Sequence, residues 1–158
     1  LLRPTMIYGT PRDRNIWRLI QFLRRSPAMP IVGSGRHLQQ PVYVADVAEA
    51  VARVLEVDAT IGQAYDLPGA EPLTFVEVID TLSRLLGRRI HKVFIPPWLG
   101  LAAARLSRSL PLGPRISPEQ ILRLEEDKAY DFDPARDDFG YRPLSFFDGA
   151  LREMGYLA

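Results

Sequence analysis

Leu1-Leu2-Arg3-Pro4-Thr5-Met6-Ile7-Tyr8-Gly9 opens the chain and decides how the rest is read. Buried-type apolar residues and a Pro-Thr pair run without a preceding turn to a glycine, the pattern of a core strand. Chain ends are ordinarily exposed and poorly ordered. A sequence that begins on a core strand therefore reads as the C-terminal part of a larger protein, with 1–10 as the last-strand segment of a truncated domain and 1–158 as one region.

Outward from that strand, helices and short strands alternate. Ile16, Leu19, Ile20 and Leu23 share one helical face, and Pro27 and Pro30 stop the helix. Strands are predicted at 29–32 and 41–44 around Gly33-Ser34-Gly35. Asp46-Val47-Ala48-Glu49 has the capping-box pattern, predicting a helix with Val47, Val51, Val54 and Leu55 buried. A strand at 62–67 closes on Pro68-Gly69. Thr74-Phe75-Val76-Glu77 opens a further helix, carrying Phe75, Val78, Ile79, Leu82, Leu85 and Leu86 to Gly87. A strand is predicted at 90–95, an apolar helix at 97–106, a proline-rich connection at 109–114 and a helix capped from Ser117 with Pro118 at its first position. A short strand at 130–132, a helix from Asp133-Pro134 to Gly140, and a final helix burying Phe147, Ala150, Leu151 and Met154 complete the chain. The expected class is α/β.

Composition narrows function mainly by exclusion. The chain has 158 residues, enough for one domain with a real core, and is 47% hydrophobic and 25% charged. A net charge of +1 argues against general nucleic-acid binding. The aromatic residues do not interleave with basic ones as a single-strand platform requires. Cysteine is absent, which removes disulfides, thiolate metal sites and cysteine nucleophiles. With no signal peptide or membrane-length apolar run, a cytoplasmic location is expected.

His37 and His91 lack metal-ligand spacing, so no metal site is expected. Glu125, Glu126 and Asp127 are consecutive and fan around a helix instead of converging as an acid/base pair. Gly33-Ser34-Gly35 lacks the third glycine of a dinucleotide fingerprint and leads into a strand, so it reads as a tight turn.

In order along the chain, these segments resemble the C-terminal half of the NAD-dependent epimerase/dehydratase family, the extended and atypical short-chain dehydrogenases/reductases. The 2–9 run resembles the strand passing beside the nicotinamide. Gly33-Ser34-Gly35 with Pro41-Val42-Tyr43-Val44-Ala45-Asp46-Val47-Ala48 resembles the glycine loop leading to a Val-Asp helix start. Asp133-Pro134-Ala135-Arg136, Phe139-Gly140-Tyr141-Arg142-Pro143 and Phe147-Asp148-Gly149 resemble the C-terminal signature. The resemblance implies the C-terminal portion of a Rossmann-type protein with its small mixed α/β substrate-binding lobe.

By the same resemblance, Pro4 and Thr5 are cofactor-binding and Met6, Arg36, Gln39, Gln40 and Tyr43 substrate-binding. No catalytic residue is assigned: Arg88 precedes Lys92 and Leu124 precedes Lys128, so neither lysine completes a Tyr-x-x-x-Lys pair. In that pair the lysine lowers the tyrosine pKa for proton exchange as hydride moves. The fragment is therefore expected to lack activity alone. The cofactor is expected to be NAD or NADP in the full-length protein, with no tight binding to this part.

Sugar-nucleotide members place asparagine where Met6 stands, arginine at Gln39, and Asp-Phe at Gln40-Pro41. A neutral amide at Gln39 forfeits a charge-assisted bond of roughly 1.5–3 kcal/mol. Arg36 is a candidate replacement donor. The Gln40–Val47 stretch is closer to the atypical branch, which includes the nucleotide-binding accessory subunit of respiratory complex I. Two functions remain open from the resemblance: the substrate-binding region of an NAD(P)-dependent epimerase, dehydratase or reductase, and a non-catalytic dinucleotide-binding scaffold. A third is an interaction domain docking through the 97–106 helix. Expected partners are a small molecule, with nucleotide sugars as candidates, and the dinucleotide-binding lobe. Self-association through exposed strand and helix surface is a further expectation.

Overall fold

The computed structural model describes residues 1–99 and 127–157. In chain order the strands are β1 (Leu2–Pro4), β2 (Ile7–Tyr8), β3 (Ala28–Val32), β4 (Leu38–Gln39), β5 (Val42–Tyr43), β6 (Tyr65–Leu67), β7 (Leu73–Thr74) and β8 (His91–Ile95). The helices are α1 (Ile16–Arg25), α2 (Val44–Val54), α3 (Phe75–Leu85), α4 (Asp133–Phe139) and α5 (Phe146–Met154). β1 pairs with β6, β2 with β5 and β3 with β8, all parallel, while β4 and β7 pair antiparallel. The fold is the expected mixed α/β class, its parallel pairs joined through helical crossovers. The expected helix at 97–106 lies mostly, and the 109–114 connection and the helix from Ser117 wholly, outside the described residues.

The opening strand is not continuous. Leu2–Pro4 follows β6, whereas Ile7–Tyr8 follows β5. Thr5 and Met6 make the step between the two partners. The Thr5 N–H donates to Leu67 O at 3.3 Å, and the Val42 N–H donates to Met6 O at 3.0 Å. This step lies at the cavity described below.

Two cores flank it. One packs Tyr8, Ile16, Ile20, Leu23, Tyr43, Val78, Leu82, Phe146 and Ala150. The other packs Ala50, Tyr65, Leu67, Ala135, Phe139 and Tyr141, with Tyr65 edge-on to Phe139 at 5.1 Å between ring centres. α1 and α3 bury Ile16, Ile20, Leu23 and Val78, Ile79, Leu82, as their periodicity predicts. Gly140 ends α4 in the left-handed conformation (φ 72°), a cost that glycine alone avoids.

α2 and α5 depart from the expected faces. α2 starts at Val44, and Asp46 caps nothing: its carboxylate accepts the Leu144 N–H at 2.8 Å. Ala50 faces the aromatic core while Val51 and Leu55 are exposed. The small alanine lets the helix approach the Tyr65, Phe139 and Tyr141 rings, which outweighs the valine stripe. In α5 the buried residues are Phe146, Gly149, Ala150 and Glu153, whereas Phe147 and Leu151 are exposed. Gly149 permits this face: a Cβ there would sit 2.1 Å from the Tyr8 hydroxyl. No strand forms at 130–132.

The predicted box at α3 is complete. Thr74 accepts the Glu77 N–H and Glu77 accepts the Thr74 N–H. These bonds hold the Glu77 carboxyl below its ordinary pKa. Thr74→Ala should lower the urea unfolding midpoint by an amount worth about 1 kcal/mol; an unchanged midpoint would show the cap to be energetically idle.

Candidate functional site

A cavity of about 770 Å³ opens beside the β1–β2 step, lined by Arg3, Pro4, Thr5, Met6, Asn15, Gln39, Gln40, Asp66, Lys128 and Tyr130. It is a cleft of ligand-binding size. Each wall comes from a separate part of the sequence. The floor is the step from β1 to β2, and one side is the β4–β5 junction. The opposite side is the extended segment 127–130.

Its polar groups are largely committed to one another. Arg3 and Asp66 face each other in the parallel register, with Nε–Oδ1 2.8 Å and Nη2–Oδ2 3.0 Å, a two-pronged pair. The Thr5 hydroxyl donates to Gln40 O at 2.5 Å. The Gln40 side chain is buried; its Nε2 donates to Gly69 O at 2.8 Å, and its Oε1 accepts the Tyr130 N–H at 2.8 Å. Segment 127–130 is tied to β4 by the Lys128 N–H to Leu38 O and the Leu38 N–H to Asp127 Oδ1, both 2.8 Å. Asp127 also lies 3.4 Å from His37 Nδ1.

Of the residues singled out from sequence, Pro4, Thr5, Met6, Gln39 and Gln40 line this cavity. Arg36 and Tyr43 do not. Arg36 is exposed beyond the Gly33–Gly35 turn. Tyr43 is a core residue, its ring edge-on to Tyr8 at 5.7 Å. Burial pushes the Tyr43 phenol up.

Sequence reasoning passed over Arg3, Asn15, Asp66, Lys128 and Tyr130. For Arg3 and Asp66 a signal existed: each is a charge at the centre of a short strand. Opposite charges at matching positions of two parallel strands are the expected cross-strand pair.

Among the described residues no group of three or more His, Cys, Asp or Glu is placed to hold a metal. No described helix is long and apolar enough to cross a membrane. For a dinucleotide, the fit is partial: Pro4 and Thr5 offer an edge at the cavity, but the Thr5 hydroxyl proton is committed to Gln40 O. Gly33 and Gly35 both have positive φ and form a turn outside the cavity, and Gly33 N–H is bonded to Ile95 O.

A second, smaller cleft of about 250 Å³ lies between α2 and the turn after α4, lined by Asp46, Glu49, Arg53, Tyr141 and Arg142 among others. Glu49 and Arg53 pair across one helical turn at 2.7 Å.

No family model matches the chain. It is 29% identical over 160 residues to 3beta-hydroxysteroid-dehydrogenase/decarboxylase isoform 2 of Arabidopsis thaliana, covering 90% of this chain and 28% of that protein. It is 31% identical over 135 residues to NADH dehydrogenase [ubiquinone] 1 alpha subcomplex subunit 9, mitochondrial, of the same plant, covering 82% and 33%. The chain thus spans about a third of the length of these relatives. In structure, it is similar to UDP-glucuronic acid 4-epimerase from Bacillus cereus, solved with NAD (TM-score 0.70, 21% identity, 99% of this chain and 44% of that one). Sequence likeness to dehydrogenases and fold likeness to epimerases agree with the ordered signatures: the chain is similar to the C-terminal part of NAD-dependent epimerase/dehydratase proteins, the extended short-chain dehydrogenases/reductases.

Proposed function

We propose that this region is the C-terminal, substrate-binding part of an NAD(P)-dependent epimerase, dehydratase or reductase-like protein, and that the Pro4–Tyr130 cavity receives the substrate. The observation that carries the reading is the meeting of the β1–β2 step with Gln39 and Gln40 at one cavity of ligand size. In the whole protein Pro4 and Thr5 then border the nicotinamide end of NAD or NADP, which supplies hydride exchange when bound. This chain's part is to orient the substrate. The sequence holds no Tyr-x-x-x-Lys pair or complete glycine fingerprint, so proton exchange and most of the cofactor grip fall to residues outside it.

The substrate is either a nucleotide sugar, as bound by the fold relative, or a hydroxysteroid-type molecule, as named for the sequence relative. Met6 and Gln39 favour the second, since neither provides the charge-assisted bonds a diphosphate needs. A non-catalytic dinucleotide-binding scaffold is the second reading, favoured by the 31% identity to the complex I subunit.

Thr5→Trp in the whole protein should weaken binding of UDP-glucose or of a 3β-hydroxysteroid carboxylate roughly tenfold or more by filling the cavity floor. Calorimetric titration of both ligands checks it. Unchanged affinity for whichever ligand binds wild type would remove the cavity assignment. Conversion of either ligand in the presence of NAD, followed by chromatography of the products, separates enzyme from scaffold; nicotinamide absorbance reads only net oxidation or reduction, because an epimerase or dehydratase returns its hydride.

A further inference from the structure

Gln40 is among the few buried polar residues of the described chain, with 4% of its surface exposed. Its carboxamide bridges two segments distant in sequence: Nε2 donates to Gly69 O and Oε1 accepts the Tyr130 N–H, both at 2.8 Å. A carbonyl at one end and an N–H at the other fix which way the amide points. The Gln40 backbone carbonyl accepts the Thr5 hydroxyl at 2.5 Å and the Gly69 N–H at 3.4 Å. One residue therefore joins the cavity floor, the turn after β6 and the 127–130 wall.

A carboxamide of this length does so at any pH, and a carboxyl only while it is protonated. An ionised carboxylate accepts but cannot donate, asparagine is one methylene short, and methionine does neither. The wall is also tied through Leu38 to Lys128 and Asp127, and the Leu38–Asp127 bond is open to water. The Gln40 bond is the more shielded, and shielded hydrogen bonds cost most to break.

Resting on the reading of this cavity as a ligand site, we propose that Gln40 is its positioning residue. It holds the Lys128–Tyr130 wall at a set distance from Pro4–Met6, and so governs which ligand shapes enter without lending a free polar group to the ligand.

The test compares Gln40→Met and Gln40→Glu in the 158-residue chain by amide hydrogen exchange and NMR, without ligand. In Gln40→Met, Tyr130 N–H exchange should rise about tenfold or more, while core amides at Ile20 and Leu82 stay within about twofold. In Gln40→Glu, Tyr130 should keep its protection because either form of the carboxyl accepts, while the Gly69–Ala70 resonances move as pH is raised through the ionisation of the new side chain, because only the donating arm is then lost. Equal acceleration at Tyr130, Ile20 and Leu82 would make Gln40 a plain stability residue and overturn the proposal. So would an unmoved Tyr130 in Gln40→Met or, should that variant not fold, a Tyr130 that loses its protection in Gln40→Glu. Adding UDP-glucose or a 3β-hydroxysteroid carboxylate to the whole protein then judges the cavity separately. Failure of both to bind sinks the proposed function and leaves the clamp to the exchange data.

Discussion

At about pH 9 the Glu153→Met variant will be more stable than the natural chain by roughly 5 kcal/mol, and near pH 5 the advantage will shrink to about 1 kcal/mol. Glu153 is fully buried on α5, and neither carboxyl oxygen has a hydrogen-bond partner among the described residues. Burial pushes its pKa up to about 8, the Asp13 carboxylate adds to the rise, and the nearby Gly9 amide only tempers it. Tyr8 lies on the same side, and its own buried phenol is pushed up, by desolvation first and by Glu153 next. Tyr43, edge-on to Tyr8, also feels the Glu153 charge.

The sign follows from which state holds the proton more tightly. The folded chain keeps Glu153 protonated up to about pH 8, whereas the unfolded chain releases that proton near its ordinary value of 4.5. Its contribution is therefore fully present below 4.5 and lost as pH rises through 8, at about 1.4 kcal/mol per pH unit between them. Methionine carries no proton, so the variant's stability should not follow that slope. Urea unfolding of both proteins at intervals from pH 5 to 9 reads the difference directly, and groups common to both cancel. Parallel curves across that range would show that Glu153 finds a compensating partner and would remove the effect.

Glu153 also shows where sequence reading reached its limit. Periodicity located α1 and α3 with their buried faces, because there the strongest apolar residues and the packing direction coincide. In α5 it chose Phe147 and Leu151 over Phe146 and Glu153, since a glutamate is ordinarily placed in water. The face was set instead by Gly149, whose missing side chain admits the Tyr8 ring. In α2 a single alanine took the buried position, with Val54 packed beside it, while Val51 and Leu55 were left exposed. Both decisions are made by a partner element remote in sequence, which no local pattern carries.

The site was legible to a similar depth. Pro4, Thr5, Met6, Gln39 and Gln40 were picked out by family resemblance and converge on one cavity. The resemblance gave no account of what Gln40 does there, nor of the wall at Lys128 and Tyr130. That wall depends on pairings across some ninety residues, Leu38 with Asp127 and Gln40 with Tyr130. The resemblance had also placed Tyr43 at the pocket, whereas its ring packs in the core edge-on to Tyr8.

Gly69→Ala should be the most damaging single methyl group that can be added near this cavity, costing more than about 3 kcal/mol. Its Cβ would lie 2.1 Å from Pro41 O and 3.0 Å from Pro41 C. Both are backbone atoms, so no rotamer change relieves the contact, and the entry to β5 must move. That entry carries the Val42 N–H bond to Met6 O and the β2–β5 pairing. The Gly69 carbonyl is also the acceptor for Gln40 Nε2, so a displaced turn loosens the clamp as well. Gly155→Ala is the matched control, because nothing lies within 4 Å of the added carbon. Its urea midpoint should stay within about 0.5 kcal/mol of the natural chain, while that of Gly69→Ala falls steeply and its Tyr130 amide exchanges faster. A Gly69→Ala protein within about 1 kcal/mol of the natural chain would mean that β5 can shift freely, and with it the wall that Gln40 is proposed to fix.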